Sequence, residues 1–116
     1  MLSGSCHCGA ITLTVASKPT YLNECHCSIC YKYGTRWAYY HPNDVTISAR
    51  SGDLTDAVDR YQCNSKSQDF VRCRHCGCVT HWARHEEDAE RMGVNMRLVP
   101  EGEVKGVEIR QGTGPE

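Results

Sequence analysis

The sequence predicts a mainly β chain with little helix, fastened by metal-binding cysteines. Short segments alternate apolar and polar residues at the period of half-buried strands. The few stretches of helical composition carry no apolar face. Leu, Ile, Val and Phe together make only 19 of the 116 residues, whereas Cys alone makes nine. A chain of this size is expected to form a single domain over residues 1–116, and so thin an apolar supply calls for cross-links or metals to supplement the core. With two Trp, six Tyr and a formal charge of only −1, the chain is expected to fold rather than to stay disordered.

Taken in order, "AITLTVAS" (10–17) sets Ile11, Leu13 and Val15 against Thr12 and Thr14, a strand with one buried face. "RWAYYH" (36–41) and "DVTISA" (44–49) are aromatic or β-branched strands separated by a Pro42-Asn43 turn, and "SGD" (51–53) ends the second. "DAVDRYQ" (56–62) reads as a weaker strand. "DFVRC" (69–73) leads into a Cys-x-x-Cys turn and "CVTHWAR" (78–84) leads out of it, while "MGVNMRLV" (92–99) and "GVEIR" (106–110) complete the strands. "SICYKYG" (28–34) supports one or two helical turns closed by Gly34. "EEDAER" (86–91) is helical in composition but without an apolar face fits a charged loop equally well, and "QGTGPE" (111–116) is expected to fray.

The nine cysteines do not read as a secreted disulfide scaffold. Their number is odd, "MLSGSCHCG" shows no charged n-region or apolar h-region, and Cys-x-Cys and Cys-x-x-Cys neighbours suit chelation. Metal binding in a reducing cytoplasm is the expectation. No apolar run approaches the length of a membrane span. Nucleic acid is an unsuited partner, because 13 basic residues face 14 acidic ones and no Lys/Arg cluster exceeds "RCR".

Seven cysteines fall into three groups: Cys6-x-Cys8, Cys25-x-Cys27-x-x-Cys30 and Cys73-x-x-Cys76. Clustered thiolates suit tetrahedral zinc, with four protein ligands at a closed structural site and three at a site open to substrate. Seven divides as four plus three, which favours Cys6, Cys8, Cys73 and Cys76 in one site and leaves Cys25, Cys27 and Cys30 as an open triplet. Gly9 and Gly77, each directly after a pair, fit the tight turns such clips need. A structural zinc contributes on the order of 10 kcal/mol to folding. The triplet also admits closure by Cys63, Cys78, His26, His41 or His81, which would make both sites structural, and an iron–sulfur cluster is a further option. Arg72, Arg74 and Lys32 stand beside the ligands and are placed either to balance thiolate charge or to face solvent.

"GSCHCGAITLTV" (4–15), "CHCSICYKYG" (25–34), "FVRCRHCG" (70–77) and "GVNMRLV" (93–99), in that order, resemble the glutathione-dependent formaldehyde-activating enzyme family, which includes centromere protein V. The resemblance spans nearly the whole chain. It implies a small zinc-stapled β-tent of two or three antiparallel sheets, a structural zinc on Cys6, Cys8, Cys73 and Cys76, and a second zinc at Cys25, Cys27 and Cys30. The implied activity is that of a carbon–sulfur lyase, adding the thiol of glutathione to formaldehyde to give S-hydroxymethylglutathione, or the reverse. Cys78 departs from the family pattern, which has a small hydroxylic residue there, and Cys63 lies outside it. So short a chain is not expected to build an elaborate glutathione pocket.

His26, between two ligands, is a candidate proton carrier, and Asn95 a candidate substrate contact, although a buried Asn more often satisfies backbone groups. Trp37, Tyr39 and Tyr40 read as core and sheet surface. The competing function is a protein-interaction module stapled by two closed metal sites, without catalysis.

Overall fold

A computed structural model describes residues 1–62, 68–86 and 88–112. Ten strands dominate it: β1 (Leu2–Ser5), β2 (Ile11–Val15), β3 (Tyr21–Cys25), β4 (Trp37–Tyr40), β5 (Val45–Ala49), β6 (Val58–Gln62), β7 (Gln68–Cys73), β8 (Val79–Arg84), β9 (Met92–Asn95) and β10 (Glu108–Gly112). Two short helices, α1 (Ser28–Tyr33) and α2 (Leu54–Ala57), interrupt them. The mainly β class expected from the sequence is the class observed.

The strands form a three-stranded sheet of order β1-β2-β5 and a seven-stranded sheet of order β10-β3-β4-β9-β8-β7-β6. In the first, Ile11, Leu13 and Val15 turn inward and Thr12 outward, as the alternation requires. Leu13 and Val15 of that sheet meet Leu22, Ala38, Tyr40, Met92, Val94 and Met96 of the other chain segments in the main core. A second core cluster surrounds Cys6 and Cys73 with Ile11, Ala57, Val58 and Val71, and a third surrounds Cys25 and Cys30 with Trp37, Phe70, Val79 and Trp82. Both include cysteines, so the apolar supply that looked thin is extended by thiols.

Several sequence expectations are corrected. The segments 36–41 and 44–49 are strands, but β4 and β5 belong to different sheets, because the 3-10 turn Pro42–Asp44 carries the chain from one to the other. Residues 56–57 belong to α2, capped by Asp53 Oδ1 accepting from Asp56 N at 3.3 Å, so the strand begins only at Val58. The strand read over 92–99 stops at Asn95, whose side chain accepts from Arg97 N at 3.2 Å and turns Met96–Leu98 into a 3-10 turn. Gln111 and Gly112 are not frayed: they end β10, which pairs in parallel with β3, Gly112 opposite Cys25. That is the one parallel pairing among the described strands. Of the segment 86–91, residues 86 and 88–91 form no helix, which leaves the charged-loop alternative. Cys63 and residues 113–116 lie outside the described residues.

Candidate metal centres and the adjoining cavity

The first cysteine cluster is built from two similar turns, one per sheet. After β1, Cys6 N donates to Ile11 O at 3.0 Å and Gly9 N to Cys6 O at 3.1 Å. After β7, Cys73 N donates to Cys78 O at 2.9 Å and Gly77 N to Cys73 O at 3.0 Å. Gly9 and Gly77 sit at φ 80° and 82°, a left-handed conformation that a side chain would strain. Each turn presents its two thiols toward the other. The Cys6, Cys8, Cys73 and Cys76 sulfurs all lie within 4.8 Å of one another, with Cys6–Cys8 and Cys8–Cys73 both at 3.7 Å. Four sulfurs around a tetrahedral ion with bonds of about 2.3 Å would stand about 3.8 Å apart.

The electrostatics fit the same group. Burial pushes the Cys6 thiol up to about 11, against the pull of the Ile11 amide. Burial also raises Cys76, but the Cys78 and Cys8 amides, with the Cys6 and Cys73 thiols, outweigh it and bring Cys76 down to about 5. Four thiols this close cannot all ionise against one another, and a shared divalent cation removes that conflict. The Ile11 amide points at Cys6 Sγ at 3.3 Å, ready to bond a thiolate. Arg72 and Arg74 instead pair with aspartates, Arg74 Nε at 3.1 Å from Asp59 Oδ1 and Arg72 at 3.9 Å from Asp59 Oδ2. Arg50 is also held beside these ligands, donating to Cys8 O at 2.9 Å, a contact 42 residues apart that no local pattern announces.

The second cluster is contiguous. Cys25 ends β3, Cys27 stands at the N-cap of α1, and Cys30 lies in the helix, where Tyr31 N donates to Cys27 O at 3.0 Å. Gly34 closes the helix, its N–H bonding to Cys30 O and Tyr31 O. This short turn gathers the three sulfurs within 4.8 Å of one another. Burial pushes Cys30 and Cys25 up, whereas the Cys30 amide and the neighbouring thiols outweigh burial at Cys27 and lower it. Trp37 Nε1 donates to Cys30 Sγ at 3.3 Å from inside the core, a contact beyond the core and sheet-surface role expected of it.

Among the described residues no fourth Cys, His, Asp or Glu joins the triplet at that separation. Cys78 packs with the other cluster's core. His81 is buried on β8 with Nδ1 2.8 Å from Thr80 Oγ1, and His41 accepts from Asn43 N at the turn after β4. Two cysteine clusters that can hold metal ions are therefore present, one with four donors and one with three.

A cavity of about 170 Å³ opens beside the triplet, lined by Cys25, Cys30, Glu24, His26, Tyr31, Gly34, Thr35 and Arg97. Glu24 anchors one wall. It accepts from Gln111 Nε2 at 2.8 Å and Arg36 Nε at 2.5 Å, and these bonds, Gln111 first, hold its carboxyl below the usual carboxylate range. Gln111 also bonds His26 Nε2, and the His26 ring lies 5.6 Å from that of Tyr31. The parallel strand β10 thus places His26, and neither its parallel pairing nor the role of Gln111 was legible beforehand. Asn95 does not line the cavity. Its Nδ2 donates to Val79 O at 2.8 Å, and its Oδ1 accepts from Arg36 N and Arg97 N, so the amide is committed to backbone at both ends. Larger cavities lie beside Cys8, Arg50 and His75 and between His41 and Met92, but neither touches the triplet.

A sequence model of the family described as glutathione-dependent formaldehyde-activating enzyme matches residues 1–110. A Halomonas elongata protein, provisionally given that same name, is 54% identical over 33 residues, which make 28% of this chain and 21% of that protein. The matched stretch is thus about a fifth of the relative's length. The crystal structure of a Rhodobacter sphaeroides protein superposes with a TM-score of 0.73 at 24% identity, covering 94% of this chain and 100% of that one. At that identity the likeness concerns the fold. No helix among the described residues is long and apolar enough to cross a membrane.

Proposed function

The chain belongs to the glutathione-dependent formaldehyde-activating enzyme family, and from that premise we propose that it is a zinc-dependent carbon–sulfur lyase acting on a thiol–aldehyde adduct such as S-hydroxymethylglutathione. Cys6, Cys8, Cys73 and Cys76 would hold a structural zinc. Cys25, Cys27 and Cys30 would hold the zinc at which substrate is met. The observation that carries this reading is the pairing of a three-sulfur cluster with a cavity that reaches Cys25 and Cys30.

In the cleavage direction the adduct's hydroxyl gives up its proton, the C–O bond becomes C=O, and the C–S electron pair leaves with sulfur, which takes up a proton to give the free thiol. Zinc, when bound, supplies a Lewis acid that favours the thiolate and stabilises charge on oxygen. The chain's own groups do the rest. Trp37 Nε1–H bonds Cys30 Sγ and tempers the charge on that ligand. His26 is exposed at the cavity mouth and held by Gln111, so it can pass a proton between substrate and solvent. Its partner is a small thiol and aldehyde, and a reducing cytoplasm is the compartment that keeps seven ligand thiols metal-competent.

The test is exchange spectroscopy of glutathione and formaldehyde by NMR, with and without the zinc-loaded protein. The proposal expects interconversion above the uncatalysed rate, lost by at least 100-fold in a folded Cys30→Ser variant. An unchanged rate with the wild-type protein, or full activity in Cys30→Ser, would contradict it.

A further inference from the structure

We propose that Cys78 makes the four-cysteine cluster an oxidation site, at which a hydroperoxide converts Cys76 and Cys78 to a disulfide and so releases the metal that ties the two sheets together. The inference rests on the metal reading of that cluster and is independent of the lyase reading. Among the described residues Cys78 is the one cysteine outside both ligand sets. It packs, with Cys76, against the core cluster that holds Cys6 and Cys73. Its thiol donates to the Cys76 sulfur, and the His7 N–H donates to its own sulfur. The backbone fixes it there too, since Cys78 O accepts from Cys73 N at 2.9 Å.

Four thiolates complete a tetrahedral ion, so a fifth thiol at the cluster is held in reserve. Beside a ligand sulfur such a thiol can capture that sulfur once it is oxidised. The Cys76 thiolate attacks the peroxide O–O bond, which breaks. Sulfur is oxidised to the sulfenic acid, and the second oxygen leaves as hydroxide or alkoxide. The Cys78 sulfur then attacks the sulfenic sulfur. Its proton and the sulfenic OH depart as water, and the S–S bond forms. Residues two apart stand at most about 7 Å from each other at Cα, the outer reach of a disulfide, and Gly77 between them turns the chain at φ 82°.

The cluster is within reach of a small oxidant. Cys8 is exposed and Cys76 and Cys78 are half-buried, and a cavity of about 530 Å³ bordered by Cys8, Arg50 and His75 opens beside them. The consequence follows from where each bond runs. A disulfide between Cys76 and Cys78 stays inside one turn of the seven-stranded sheet, whereas the metal it displaces spans turns of both sheets. The new bond therefore cannot replace the old clip. Reduction by a small thiol regenerates both sulfurs and lets the metal return.

The experiment treats zinc-loaded wild type, Cys78→Ser and Cys78→Ala with hydrogen peroxide. Released zinc is followed with a chromogenic chelator, the β signal by circular dichroism, and disulfides by peptide mass mapping. Before peroxide both variants should match wild type in zinc content and β signal. In the wild type a Cys76–Cys78 disulfide should appear in step with zinc release and loss of the β signal, and dithiothreitol with zinc should restore the fold. Both variants should lose the β signal roughly tenfold more slowly, and dithiothreitol should not restore it, because a sulfenic acid without a partner goes on to sulfinic acid. Equal rates and equal recovery in wild type and variants would overturn the inference. So would a wild-type product lacking the Cys76–Cys78 bond, or variants that hold no zinc before peroxide, which would make Cys78 a structural thiol.

Discussion

The two cysteine clusters use the same ligand chemistry in opposite structural ways. Cys8 and Cys73 are neighbours in space and 65 residues apart in sequence. Their cluster joins a turn of the three-stranded sheet to a turn of the seven-stranded one. A metal held by that cluster would close a long loop and fix how two sheets meet, so its removal would release a large part of the chain. Cys25, Cys27 and Cys30 come from one strand end and the helix after it, already gathered by local hydrogen bonds. Loss of a metal held there is expected to leave both sheets paired. On the proposed reading, ligand separation along the chain, more than ligand identity, would divide structural from functional work.

That contrast is open to direct attack. Cys76→Ser should cause the largest change: loss of a contribution on the order of 10 kcal/mol, comparable to the whole stability of a typical domain. Far-UV circular dichroism of the purified variant should show an unfolded chain, whereas Cys30→Ser should keep its β signal and bind one metal fewer. Equal unfolding of the two would break the comparison.

Asn95→Ala comes next. It strands Val79 O, Arg36 N and Arg97 N, and a loss of about 3 kcal/mol is expected in urea denaturation. Metal content should stay at its wild-type level and activity per folded molecule within about threefold. Lost activity at unchanged stability would return Asn95 to the substrate.

His81 gives a smaller, pH-dependent effect. Burial, with the Arg60 charge, pushes its imidazole down to about 4, below the 6.5 of a free histidine. The unfolded chain therefore takes up the proton first as pH falls. Stability is intact above about pH 6.5 and drops toward about pH 4, by at most about 3 kcal/mol. Acid also strips thiolates of their metals. His81→Leu isolates the imidazole's share: denaturation midpoints followed from pH 7 to 5, with metal content checked, should fall less steeply in the variant. Identical slopes would remove His81 from the account.

Much of this was legible because it is local. Ile11, Leu13 and Val15 announce their strand by alternation, and the three cysteine groups announce their turns by spacing and by Gly9 and Gly77. The strands that escaped notice lack such marks. β1 is "LSGS", with no strand-forming residue after Leu2, and it exists because it pairs with β2 from Leu2↔Val15 to Ser5↔Thr12. β3 is mixed in polarity and finds β10, the strand read as "GVEIR" (106–110), across the chain in parallel. The same holds at the site. The triplet is written in six consecutive positions, but Trp37 on its sulfur and Gln111 on His26 emerge only once β4 and β10 are laid beside β3. Asn95 shows the converse: a residue that invites a catalytic reading by its motif spends its amide on three backbone groups.

The most direct test is a graded chelator titration that follows bound zinc by native mass spectrometry and folding by circular dichroism on the same samples. The account predicts two zinc ions per chain. The first should leave at low chelator with the β signal unchanged and with loss of lyase activity, and the second only as the chain unfolds. Loss of both in one step with unfolding, or a fold that survives without any metal, would contradict it.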